Sequence, residues 1–174
     1  DAKILCDTGI DDPHFHLHVK NAITPKNLTT VFLDLRTTIG IVREHLPEAM
    51  ICVAMLDIGK ADPDLLKRAF HFLDQDLGIE IISLPDTSGI MAPNQVYDRI
   101  RDLTMNISVP LKTKISVHCH NDMGMASANS VMGILAGASV VELSALGLGE
   151  RNGIGDLFTT AKQLQNQGMD LKMD

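Results

Sequence analysis

The chain has 174 residues, of which 45% are hydrophobic, so it can bury one sizeable core. A net charge of −7 excludes nucleic acid and anionic membrane as main partners, because both require a basic face. No apolar run is long enough to span a bilayer, and Cys6, Cys52 and Cys119 include no Cys-x-x-Cys spacing, which predicts reduced thiols in a cytoplasmic compartment.

Residues 3–6 read as a short buried strand, followed by turn-rich residues 7–13. His14, His16 and His18 then recur at period two. If this stretch is extended they share a face, yet no carboxylate or cysteine is spaced to complete a tetrahedral set. His14 is the best placed of the three to touch a ligand. Thr24-Pro25 is a cap-plus-proline helix start, and Leu28, Val31, Phe32, Leu35, Ile39 and Val42 recur at helical steps as far as Glu44.

Residues 50–56 form a continuous apolar run of the kind found in parallel strands buried on both faces. Asp62-Pro63 opens the next helix, whose stripe of Leu65, Leu66, Ala69, Phe70, Leu73 and Leu77 ends at Gly78. A strand over 79–84 leads into Pro85-Asp86-Thr87-Ser88-Gly89, and Pro93 starts a helix through Val96, Ile100 and Leu103. Residues 115–120 form a strand, 125–135 a helix, 140–144 a strand, and 156 to about 167 a last helix.

Five βα repeats predict an α/β fold with a parallel sheet. Polar clusters follow the strands at Asp11-Asp12-His14, Asp57, Asp86-Thr87, His118-His120 and Glu150-Arg151-Asn152. In a parallel sheet or barrel the carboxyl ends share one rim, so these clusters are expected to converge there. The sharpest of them is His118-Cys119-His120, since strand alternation turns both imidazoles to one face and Cys119 to the other. Two imidazoles on one face make half a metal site.

His118-Cys119-His120-Asn121-Asp122-Met123-Gly124, Val141-Glu142-Leu143-Ser144 and Gly147-Leu148-Gly149-Glu150-Arg151-Asn152-Gly153 resemble the 2-isopropylmalate synthase and homocitrate synthase family of the DRE-TIM barrel superfamily. The Gly-Glu-Arg-Asn-Gly ending is nearer the homocitrate synthase form, and Asp86-Thr87-Ser88-Gly89 is similar to the family's Asp-Thr-x-Gly segment. The resemblance implies that residues 1–174 are a partial TIM barrel, strands four to eight, lacking strands one to three and the arginine and aspartate of the first. It implies an acyltransferase of amino-acid biosynthesis that condenses acetyl-CoA with a 2-oxo acid, depends on a divalent metal (Mg, Mn or Zn), and is a homo-oligomer. Under it His118 and His120 are metal ligands, with Asn152 as a further candidate.

The same resemblance places His14, Asp86 and Thr87 in the substrate pocket and Glu150 and Arg151 beside the chemistry. The competing bland roles are turn capping for Asp86-Thr87, a solvated loop for His14 and a rim ion pair for Glu150-Arg151. Leu56 and Lys60 stand where the family usually carries glutamate and arginine, and lysine cannot make a bidentate fork to a carboxylate. Two alternatives follow: an enzyme of the hydroxymethylglutaryl-CoA lyase type, or a non-catalytic partial barrel whose strand edges bind a partner chain. The 174 residues alone are expected to show no turnover.

Overall fold

The computed structural model describes residues 2–19, 24, 26–105 and 110–171. Its centre is a five-stranded parallel sheet in sequential order: β1 (His14–His18), β2 (Cys52–Leu56), β3 (Ile81–Asp86), β4 (Lys114–Cys119) and β5 (Val140–Glu142). Helices α1 (Ala2–Cys6), α2 (Leu28–His45), α3 (Pro63–His71), α4 (Pro93–Met105), α5 (Ala126–Leu135) and α6 (Leu157–Asn166) lie between and around the strands. A single π-helical turn over Phe72–Asp76 extends α3.

The start of α3 follows the cap-plus-proline chemistry read from the sequence, whereas α2 begins at Leu28 with Asn27 as its N-cap. Asp62 accepts from the backbone N–H of Asp64 and Leu65 with Pro63 in the first turn, and Asp156 accepts from Thr159 N–H at 2.7 Å. At α2, Thr24 bonds to Asn27 Oδ1 through its N–H (2.7 Å) and its hydroxyl (2.9 Å). Pro25, the other half of that expected start, lies outside the described residues.

Strand alternation divides the sheet into two faces. Val53, Met55, Ile82, Leu84, Val117 and Cys119 point to the helices and are buried in the main core. Gly133 of α5 lets that helix approach closely, because a Cβ there would stand 2.8 Å from Val117 Cγ2. The opposite face carries Ala54, Leu56, Ser83, Pro85, Ser116 and His118, and it lines a concave lumen in place of a second helix layer.

Two expectations are corrected. Residues 3–6 are helical rather than a buried strand: α1 has no buried residue, packs against α2, and has no strand partner. The first strand is instead the histidine-rich stretch, registered as His14 to Cys52, His16 to Ala54 and His18 to Leu56, with Leu17 buried on the helix side. Pairing and burial of Leu17 outweigh the weak strand propensity of histidine.

It follows that Asp11 and Asp12 precede β1 instead of following a strand and lie at the opposite end of the sheet from the other four clusters, while His14 opens β1 and faces the lumen. Asp12 Oδ1 accepts there from Met50 N–H at 2.8 Å, just before β2. The remaining boundaries differ by a residue or two, most at β3, which runs to Asp86, and at β5, which has only three residues. No helix among the described residues is long and apolar enough to cross a membrane.

Candidate metal centre and its cavity

At the end of β4 the chain turns inward over the lumen. His120 sits just past the strand in an isolated bridge to Ile154, Asn121 N–H donates to Gly153 C=O at 2.9 Å, and Gly155 N–H donates to Cys119 C=O at 3.2 Å. The loop after β5 therefore folds back as a wall of the site. Gly153, with φ of +91°, allows this, since a Cβ would fall 2.1 Å from Gly147 C=O.

The wall and the strand faces border an open cavity of about 490 Å³ that includes His14, His16, Leu56, Thr87, His118, His120, Glu142 and Glu150 in its lining. Within it His118 Nε2 and His120 Nε2 stand 3.3 Å apart with the rings edge to face. Two nitrogens each ~2.1 Å from one tetrahedral metal are separated by roughly 3.4 Å. The pair thus has the spacing of two ligands on one ion, and His120 Nδ1 is buried without a partner.

Behind His118 lies Glu142, its register partner on β5. Glu142 Oε1 accepts from Ser83 Oγ at 2.6 Å and from Ser116 Oγ at 2.7 Å, while Oε2 lies 3.4 Å from His118 Nδ1. That last contact is an ion-pair distance without full hydrogen-bond alignment, so Nδ1 is enclosed but loosely held. Burial raises the cost of the Glu142 charge, yet the close approach of His118 Nδ1 and the hydrogen bonds from Ser83 and Ser116 outweigh it and bring the carboxyl down to about 2. Glu142 is an anion at every ordinary pH.

The imidazoles respond to the same surroundings. His120 titrates below its usual value because of burial, then His118 and Arg151, with Asp122 and Glu150 opposing. His14 is likewise lowered by burial, against the attraction of Glu142. Neutral imidazole is the form that ligates a metal. The thiols are not in their ligating, thiolate form: burial pushes Cys119 up to about 12 and Cys52 up to about 11.

The other residues singled out from the sequence fall into two groups. Thr87 and Glu150 join His14 on the cavity wall; Thr87 Oγ1 accepts from Asp57 N–H at 2.9 Å, and the Glu150 side chain is exposed. Asp86, Arg151 and Asn152 are turned elsewhere. Asp86 is fully buried and its carboxylate accepts from Ile90 N–H (3.2 Å) and Met91 N–H (2.9 Å).

Arg151 makes a two-nitrogen fork to Asp122, both bonds 2.8 Å, and donates to Thr87 C=O at 2.7 Å. Asn152 donates to Asp122 C=O at 3.4 Å and is not part of the cavity lining. Arg151 therefore ties three loops together, with its backbone at a φ of 56°. Asp122 in turn fills the space that Gly89 leaves open, where a Cβ would lie 2.4 Å from Oδ2.

Sequence reasoning missed Ser83, Ser116 and His16 as lumen residues, and read Glu142 only as part of a motif. The available signal was a polar residue recurring at strand parity inside apolar runs: Ser83 between Ile82 and Leu84, and Ser116 two before His118. Among the described residues no group of three or more His, Cys, Asp or Glu side chains converges closely enough to hold a metal by itself. The imidazole pair fits two positions of such a site and leaves the others open.

The family model described as HMGL-like matches residues 11–174. The chain is 50% identical over 160 residues to the 2-isopropylmalate synthase of Methanocaldococcus jannaschii, covering 88% of this chain and 29% of that protein. It is 35% identical over 157 residues to the 2-isopropylmalate synthase of Sulfurisphaera tokodaii (84% of this chain, 38% of that protein). To the homocitrate synthase of Pyrococcus abyssi it is 45% identical over 92 residues, covering 53% of this chain and 24% of that protein. The chain thus spans well under half the length of these curated relatives.

Among solved structures, the HMG-CoA lyase of Brucella melitensis superposes with a TM-score of 0.79 at 18% identity, over 99% of this chain and 65% of that one. At that identity the likeness speaks for the fold alone, an α/β arrangement of parallel strands and helices. With the family model matching nearly the whole sequence and the histidine strand, the Gly-Glu-Arg loop and the sheet all in agreement, the chain belongs to the HMGL-like family, within the DRE-TIM superfamily.

Proposed function

We infer that this chain carries the later strands of the catalytic barrel of a divalent-metal-dependent acyltransferase that condenses acetyl-CoA with a 2-oxo acid, in the manner of a 2-isopropylmalate or homocitrate synthase. The observation that carries the reading is the His118–His120 nitrogen pair, spaced at 3.3 Å, open to a cavity of substrate size and backed by an anionic carboxylate. The names of the curated relatives supply the reaction class.

In this reading His118 and His120 hold the ion through Nε2. A divalent ion there supplies Lewis acidity toward the carbonyl of the 2-oxo acid. His14, Thr87 and Glu150 line the space around that carbonyl, and the Arg151–Asp122 fork keeps the loop carrying Glu150 closed over it. Asp86 shapes the turn that presents Thr87. Leu56 also lines the cavity, where related synthases usually carry glutamate, while Lys60 is drawn away to Ser88 Oγ and Asp57.

Titration with Mn²⁺ and Zn²⁺ tests the metal, and CoA release from acetyl-CoA with 2-oxoisovalerate or 2-oxoglutarate tests the chemistry. We expect one-to-one metal binding that weakens on His118→Ala and His120→Ala. We expect CoA release from the full-length gene product and none from the 174-residue chain alone. Full-length protein that binds metal but releases no CoA with any 2-oxo acid sinks the condensation reading.

A further inference from the structure

The carboxylate behind His118 touches neither substrate nor ion in the proposed reaction, and its surroundings define what it does. Ser83 and Ser116 are register partners on β3 and β4, and His118 and Glu142 are register partners on β4 and β5. Ser116 and His118 are two residues apart on one face of β4, so Glu142 reaches back along that face to both serines. Both serine hydroxyls converge on a single oxygen, Oε1, at 2.6 and 2.7 Å.

A carboxylate only accepts hydrogen bonds. The two hydroxyls must therefore donate, which fixes the rotation of Glu142 and leaves Oε2 for the third neighbour, His118 Nδ1 at 3.4 Å. The ring atom facing that oxygen is favoured as N–H. In a neutral imidazole the other nitrogen, Nε2, then carries the lone pair, and Nε2 is the atom that faces His120 across 3.3 Å.

We propose that Glu142 is a positioning residue for His118: clamped by Ser83 and Ser116, it sets its charge 3.4 Å from Nδ1, favours the Nδ1–H tautomer without an aligned hydrogen bond, and so turns the Nε2 lone pair into the cavity. The inference rests on the metal reading above for its purpose, but its structural content is independent of that reading. Three strands take part, so the ring is oriented by the sheet and not by the mobile end of a loop.

The test is Glu142→Gln. Glutamine keeps the shape and, with its amide oxygen on the serines, presents NH₂ to His118 Nδ1, which must then accept and move the ring proton to Nε2. Nitrogen-15 correlation spectra of the His118 ring in the metal-free protein are expected to change from the Nδ1–H to the Nε2–H pattern, with an unchanged far-UV circular dichroism spectrum. Mn²⁺ and Zn²⁺ affinity is expected to fall roughly 10–100-fold, as for loss of other partners behind a ligating histidine.

Ser116→Ala is the second variant, should Glu142→Gln not fold. It is expected to keep the Nδ1–H tautomer and weaken metal binding roughly two- to tenfold, the worth of one lost hydrogen bond. A His118 ring that stays Nδ1–H in Glu142→Gln, or metal affinity within twofold of the parent in both variants, overturns the proposal. If the full-length parent binds no metal, the metal reading fails while the ring spectra still decide the role of Glu142.

Discussion

Two histidine pairs of the same spacing face the same cavity, His14 and His16 on β1 and His118 and His120 at the end of β4, and their surroundings differ. The β4 pair has its Nε2 atoms 3.3 Å apart, a carboxylate behind one ring and the folded-back loop over the other. The β1 rings meet edge to face much as the β4 rings do, with centroids 5.2 Å apart against 5.0 Å, but they stand on a strand at the border of the sheet. Period two puts imidazoles on one face, but only a neighbouring strand can aim them. Identical His-x-His spacing thus leaves one pair backed by an acceptor on the next strand and the other, among the described residues, without one.

The largest test of that contrast is alanine substitution at all four histidines. His118→Ala and His120→Ala are each expected to weaken Mn²⁺ and Zn²⁺ binding by more than about 100-fold, beyond what losing a supporting partner does. His14→Ala and His16→Ala should stay within about threefold by the same titration, and an equal loss at both pairs would erase the distinction.

Next comes the platform under each pair. Ile82→Ala, in the centre of the sheet and fully buried, is expected to cost about 2–5 kcal/mol in urea unfolding, with Leu17→Ala on the border strand at the low end of that range. Gly133→Ala is expected to cost about 1–3 kcal/mol, because its Cβ meets Val117 on β4 at 2.8 Å. A neutral Gly133→Ala would mean that α5 stands off from the histidine strand.

Acid separates the groups by sign. His14 and His120 titrate below 6.5 when folded, so the unfolded chain takes up their protons first, and this share of stability is present above pH 6.5 and lost as the pH falls. Glu142, lowered from 4.5 to about 2, contributes stability that is present above pH 4.5 and lost on the way to pH 2. Thermal melts at stepped pH should show the lower step in the parent and not in Glu142→Gln. The smallest effect is expected from Arg151→Ala, an exposed residue: little change in melting temperature, but faster protease cleavage between residues 147 and 155.

The alternation of strands and helices, the Asp62-Pro63 helix start and the His118-Cys119-His120 face were legible because each rests on local periodicity or local hydrogen bonding. The first strand was not. Residues 3–6 are apolar enough to read as a strand, but only pairing decides, and β2 pairs with the histidine stretch. The clamp on Glu142 was hidden for a similar reason, since Ser83, Ser116 and Glu142 come from three strands and meet only through register. Arg151 was read beside the chemistry, with a rim ion pair as the alternative; the fork to Asp122 spans 29 residues and has no local signature.

The serine–glutamate clamp also bears on how this chain can change. Glu142 is the last residue of a three-residue border strand, and its side chain is bonded to β3 and β4. Replacing it to retune the histidine therefore also loosens the attachment of β5 and of the loop that follows. Mutational drift at this position is constrained twice over, by the chemistry and by the sheet, and variants that survive there should carry a compensating change at residue 83 or 116.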